Sequence, residues 1–137
     1  MKYILLASTV LLMAFATAST VTFSDVRGTS ESDGILIQWS TSQESGIKDF
    51  AVEKASQMNN KFFEIGEVTP TGAGSVYQFV DKQIYKTSSA SVFVYRIRAD
   101  GYDNSVTYSN SITVSYEFSG LSGVAQRTWG SIKAMFR

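Results

Sequence analysis

The sequence predicts an all-β protein, a seven-stranded antiparallel sandwich of two sheets. Short runs alternate apolar and polar residues at period two, and turn residues interrupt them every 8–15 positions. The links between runs are too short for crossover helices, so consecutive strands run antiparallel. The chain shows no internal repeat.

The strands follow in order. Thr20 to Val26 is the first. Gly34 opens the second, Ile35 to Thr41, in which Ile35, Ile37 and Trp39 share one face and Gln38 and Ser40 the other. In the third, Phe50, Val52 and Lys54 alternate with Ala51, Glu53 and Ala55. Asn59-Asn60 suits a tight hairpin because Asn tolerates positive φ, and Lys61 to Val68 is the return strand. Pro70, Gly72 and Gly74 mark a loop before a short strand, Val76 to Val80. Ser91 to Ala99 is the clearest strand, with Phe93, Tyr95, Ile97 and Ala99 on one face and Val92, Val94, Arg96 and Arg98 on the other. Asp100 to Asn104 is a turn, and Val106 to Glu117 a long last strand rich in β-branched and aromatic residues. The expected core is Ile35, Ile37, Trp39, Phe93, Tyr95 and Ile97.

Composition narrows the function. The 137 residues carry 12 basic and 12 acidic side chains, so the bulk charge of a nucleic-acid binder is missing. There is no His and no Cys, which excludes disulfides, thiolate nucleophiles, Cys/His zinc sites and His-based catalysis.

Residues 1–18 read as an address. Lys2 supplies a positive start, Tyr3 to Phe15 is apolar apart from Ser8 and Thr9, and Ala16-Thr17-Ala18 has the small-x-small pattern that a signal peptidase accepts. This is a Sec-type signal peptide with cleavage expected after Ala18. The apolar run is shorter than the roughly 20 residues a membrane anchor needs. The expected location is secreted, periplasmic or cell-surface. The domain organisation is therefore signal peptide 1–18, sandwich 19–117 and a distinct tail 118–137.

Ile35-x-Ile37-x-Trp39 on the second strand, Tyr95-Arg96-Ile97-Arg98-Ala99 on the sixth and Tyr108 to Val114 on the seventh together resemble the fibronectin type III signature. Ile37 to Glu44, Phe50 to Ser56, Phe63 to Val68, Tyr77 to Asp81 and Tyr95 to Gly101 are similar, in the same order, to fibronectin-III-like modules of exported Bacteroidota-type proteins. Those modules often precede a C-terminal sorting segment. The resemblance covers residues 35–115 and implies an immunoglobulin-like sandwich that binds rather than catalyses. The chain lacks an Arg-Gly-Asp adhesion tripeptide, and its tail does not resemble a sandwich-shaped sorting domain.

No enzyme is expected, because the acidic residues form no recognisable pair and most are expected on solvated rims and loops. No cofactor or metal is expected either. Asp100 to Asn104 offers oxygen ligands of the kind Ca²⁺ takes, but it lacks the Asp-x-Asp-x-Asp-Gly order and reads as an ordinary turn. Arg96 and Arg98, with Lys54 and Lys48 on the neighbouring strand, suggest either a face for an acidic partner or cross-strand pairing with Glu residues; pairing is the favoured reading. Tyr77, Tyr102 and Tyr108 are candidate exposed aromatics for a glycan.

The tail differs from the body. Phe118 to Gly123 is a Gly/Ser linker, and across the tail the apolar residues Leu121, Val124, Ala125, Trp129, Ile132, Met135 and Phe136 collect, at about 100° per residue, into an arc of roughly 140°. The tail carries Arg127, Lys133 and Arg137 and no acid, whereas residues 19–117 carry eight basic against twelve acidic groups. A short amphipathic helix is expected that packs on its own domain, engages a partner groove or lies in an anionic membrane surface. Its contact residues are Arg127, Trp129, Ile132, Lys133, Met135, Phe136 and Arg137. The expected function is a non-catalytic module acting through a protein partner at the envelope, with the tail as docking or sorting element. The alternatives are a glycan-binding module and a structural subunit of a surface assembly.

Overall fold

A computed structural model describes residues 17–84 and 91–117. They form two antiparallel sheets and no helix. One sheet has the order β1 (Thr20–Glu31), β2 (Gly34–Ser45), β5 (Val76–Asp81). The other runs β4 (Phe63–Val68), β3 (Ile47–Ser56), β6 (Ser91–Gly101), with β7 (Val106–Tyr108) and β8 (Ile112–Tyr116) pairing in succession along β6. Residues 1–16 of the expected signal peptide and the whole expected tail, 118–137, lie outside the described residues.

The sheets meet through aromatic side chains. Trp39 of β2 stacks on Tyr77 of β5 at 5.4 Å between centroids and meets Phe50 of β3 edge-on at 6.0 Å. Ile35, Ile37, Val52, Ile84, Tyr95, Ile97, Ala99, Val114 and Tyr116 join them in the buried cluster; Phe93 is half-buried and packs against its margin. The alternation that places these side chains inward is the period-two pattern of the sequence.

Most strands differ from the expected boundaries by one to four residues, β2 reaching Ser45 and β3 starting at Ile47, and the first and last differ most. The first runs on past Val26 to Glu31, because Arg27 to Glu31 pairs residue by residue with Gln38 to Gly34 around a tight turn. Gly28 sits in that extension where β8 of the other sheet crosses closely; a Cβ there would run into the Val114 side chain. The single last strand expected over Val106 to Glu117 is two strands. Between them Ser109 still donates its N–H to Ile97 O, while the Ile97 N–H is met by the Ser109 hydroxyl instead of a backbone carbonyl. That side-chain substitution interrupts the ladder without releasing the chain from β6. Asn60 and Asn104 take positive φ of 50° and 64° in the two turns that the sequence marks with Asn.

Candidate functional site

Inward-facing positions near the ends of β3, β5 and β6 converge at one end of the sandwich. Lys54 follows Phe50 and Val52 on the inner face of β3, Asp81 follows Tyr77 and Phe79 on β5, and Tyr95 faces in from β6. Lys54 Nζ lies 2.6 Å from Asp81 Oδ2, with the two side chains only 6% and 2% exposed. The same oxygen accepts the Tyr95 hydroxyl at 2.8 Å, and Asp81 Oδ1 accepts the Gln83 N–H at 2.9 Å. Lys54 also donates to Gln83 O and sits 4.2 Å above the centre of the Phe93 ring. Burial, reinforced by Asp81, pushes the Tyr95 hydroxyl well above the usual tyrosine range, so it remains a donor. This triad ties three strands of both sheets together. Asp81 is therefore buried, not one of the solvated rim acids the sequence suggested.

Beside the triad opens a cavity of about 580 Å³, walled by Phe63, Ile65, Ile84 and Phe93, with Lys82 and Gln83 at its rim. The size falls in the range of small-ligand sites, about 300–1,000 Å³. Of the two lysines that line it, Lys54 is paired with Asp81.

A second cluster covers the outer face of the five-stranded sheet. Glu53 of β3 stands directly opposite Glu64 of β4, a like-charge pairing that is unfavourable by itself. Arg98 resolves it: Nη1 meets Glu53 at 2.9 Å, Nη2 meets Glu64 at 2.9 Å, and the same guanidinium chelates Asp100. These carboxylates, Asp100 foremost, hold the Arg98 guanidinium above its already high ordinary value. Arg96 reaches Glu53 at 2.6 Å and is held between the Phe62 and Tyr108 rings, 4.0 Å from each centroid. Further along β4, neighbouring Glu64 pushes the Glu67 carboxyl up, and Asp49 adds to the effect. Cross-strand pairing thus accounts for Arg96 and Arg98, which are not free to receive an acidic partner. Glu53 is buried beneath them, again unlike a solvated rim acid.

Replacing Arg98 by leucine leaves Glu53, Glu64 and Asp100 facing one another. The expected result is a loss of about 1–3 kcal/mol at neutral pH. Urea titrations of both proteins at neutral pH read this directly.

The remaining sequence candidates fall in different places. Lys54 faces inward, away from Arg96 and Arg98, whereas Lys48 is exposed and lies 3.9 Å from Asp49. Tyr77 is buried; its hydroxyl donates to Glu44 and accepts the Thr71 N–H. Tyr108 is half-exposed with Arg96 over its ring, and Tyr102 is exposed. Asp100 is engaged by Arg98, and Asp103 accepts N–H bonds from Ser19 and Ser105. Among the described residues no group of three metal-ligating side chains is arranged around an ion site. The tail residues Arg127, Trp129, Ile132, Lys133, Met135, Phe136 and Arg137 lie outside the described residues. The Lys54–Asp81–Tyr95 triad went unrecognised in the sequence; the signal available was parity, since each shares its strand face with core residues. Comparisons with protein-family models, curated proteins and solved structures find no match to this chain.

Proposed function

We propose that the chain is an exported, non-catalytic module of fibronectin-III-like type that acts by binding a protein partner at the cell envelope or surface, with its C-terminal tail as the docking element. The observation that carries this reading is the state of the buried ionisable groups. Lys54, Glu53 and Asp81 are each matched inside the body, and the cavity beside the triad is walled mainly by apolar side chains, with Lys54 paired to Asp81. Such an arrangement favours a rigid scaffold over acid–base chemistry, which needs an available group of tuned pKa at the reacting atom. The strand order, with Trp39 and Tyr95 facing each other's sheets from the core, supports the fibronectin-III-like resemblance. Lys2, the apolar run and Ala16-Thr17-Ala18 support export.

A glycan-binding role draws less support. Of the three tyrosines considered for it, Tyr77 is buried and Tyr108 already carries Arg96 on its ring. Truncation after Phe118 tests the proposal. The shortened protein is expected to melt within about a degree or two of the full chain, because the core residues lie upstream. It should nonetheless lose its attachment in envelope fractions. Replacing Arg127, Lys133 and Arg137 by Gln separates the modes of attachment: loss that follows ionic strength and anionic lipid content identifies a membrane surface instead of a protein groove. A truncated protein that stays attached would contradict the tail's role.

A further inference from the structure

The residue that signal-peptide cleavage would make the first of the chain sits in a prepared niche. Ser19 lies immediately before β1. Its backbone nitrogen is 2.9 Å from Asp103 Oδ2, 84 positions along the chain, and its hydroxyl donates to Gly46 O at 2.8 Å. Two glycines make room for it. A Cβ on Gly101 would overlap the Ser19 side chain, and one on Gly46, where φ is +64°, would stand 3.1 Å from the Ser19 hydroxyl. Asp103 is fixed by the turn that carries it: Oδ1 accepts the Ser105 N–H at 3.0 Å, which leaves Oδ2 directed at Ser19. The other charged groups on the packed elements are engaged elsewhere. Glu44 holds Tyr77 and the Gly72 N–H, Asp49 faces Lys48, and Asp100 holds Arg98. Residues 17 and 18, directly before Ser19, are exposed to solvent.

We propose that hydrolysis of the Ala18–Ser19 bond creates an α-ammonium group that the Asp103 carboxylate captures, so that removal of the leader fastens the start of β1 to the β2–β3 and β6–β7 turns. This rests on the reading that the chain is exported and cut after Ala18. The leader peptidase adds one water across the bond. Ala18 leaves with the new carboxylate, and Ser19 keeps the nitrogen, which takes up a proton at neutral pH. A neutral amide hydrogen bond in the precursor thereby becomes a charge-assisted one. The Ser105 and Ser19 hydrogen bonds hold the Asp103 carboxyl well below its ordinary range, consistent with a carboxylate ready for a cation.

The sign of the pH dependence follows. An α-amino group ordinarily titrates at about 7.7–8.0. A facing carboxylate raises that value, so the stabilisation is fully present below about 7.7 and disappears as pH rises through the raised value. On the acid side Asp103 is depressed. Its contribution is present above the ordinary Asp value of about 3.9 and is lost as pH falls through its folded value.

The test uses the full chain, expressed in an exporting bacterial host and recovered after processing. Mass spectrometry gives the first residue. The pH dependence of α-amine acylation gives the amine's midpoint, in the natural protein and in Asp103→Asn, which keeps an acceptor but removes the charge. The expected results are a chain beginning at Ser19, a midpoint about one unit above the ordinary range, and a return to that range in Asp103→Asn. Selective acetylation of the α-amine on the folded natural protein provides a second route should the variant not fold. It should lower the melting temperature by about 2–4 °C at pH 7, and this difference should vanish at high pH. A processed chain beginning at another residue overturns the assignment of the cleavage site. A chain beginning at Ser19 with an ordinary midpoint overturns the capture. An exported protein that shows the capture but attaches to nothing bears on the proposed docking function alone.

Discussion

Replacing Trp39 by alanine is expected to remove about 3–5 kcal/mol of stability, the usual cost of emptying a buried aromatic site. Trp39 is 1% exposed and stands where the sheets meet, stacked on Tyr77 and edge-on to Phe50. Its removal strips contacts from strands of both sheets, which a rigid sandwich cannot refill by local collapse. The indole nitrogen has no hydrogen-bond partner among the described residues. Trp39→Phe therefore loses volume but also removes a buried unsatisfied donor, and it should cost clearly less than the alanine variant. Tyr102→Ala, at a residue 73% exposed, should be nearly neutral. Urea denaturation of the three variants checks the ranking; a reversed order would mean that the sheet faces are misassigned.

Replacing Asp81 by alanine should cost a comparable amount, about 3–5 kcal/mol. The change leaves the Lys54 ammonium buried without its counter-ion and takes the acceptor from the Tyr95 hydroxyl and the Gln83 N–H. The penalty comes from the uncompensated charge rather than from the worth of the pair. The double variant Lys54→Met, Asp81→Leu removes both charges and keeps apolar volume, so it should be more stable than Asp81→Ala alone. Denaturant titrations of the single and double variants measure this. A single variant that loses less than about 1 kcal/mol would show that Lys54 finds water or another partner when Asp81 is gone.

The sequence made the sheet faces legible where alternation is strict. Period two in β2 and β6 separates Ile35, Ile37, Trp39, Tyr95 and Ile97 from their outward neighbours, and the structure buries these five. The cross-strand pairing favoured for Arg96 and Arg98 is present, with Glu53 and Glu64 as partners. Strand ends were less legible. Arg27 to Glu31 is polar with a glycine and resembles a loop, but its pairing is set by a partner strand that local composition does not reveal. The break at Ser109 depends on one hydroxyl replacing a carbonyl, for which the surrounding Thr/Ser/Asn residues give no distinctive pattern.

The triad was hidden for a different reason. Charge argues for solvent, while parity places Lys54 with Val52 and Asp81 with Phe79 on inner faces. The conflict resolves only when β3 and β5 are brought opposite each other, which is tertiary information. Tyr77 was misplaced in the same way: its phenol can sit in water or in a core, and a hydroxyl partner decides. Glu44 supplies that partner from 33 positions away.

In the proposed function the body is a folded scaffold and the tail makes the contact with a partner. In-cell cross-linking tests it most directly, with a photoreactive residue placed at position 129 or 136 of the exported full chain and the adducts identified by mass spectrometry. A discrete adduct to one envelope or surface protein is expected from both positions, and none from a probe at exposed position 58. Cross-links confined to the chain's own body, with no adduct to another protein, would show that the tail covers its own domain and would contradict the account.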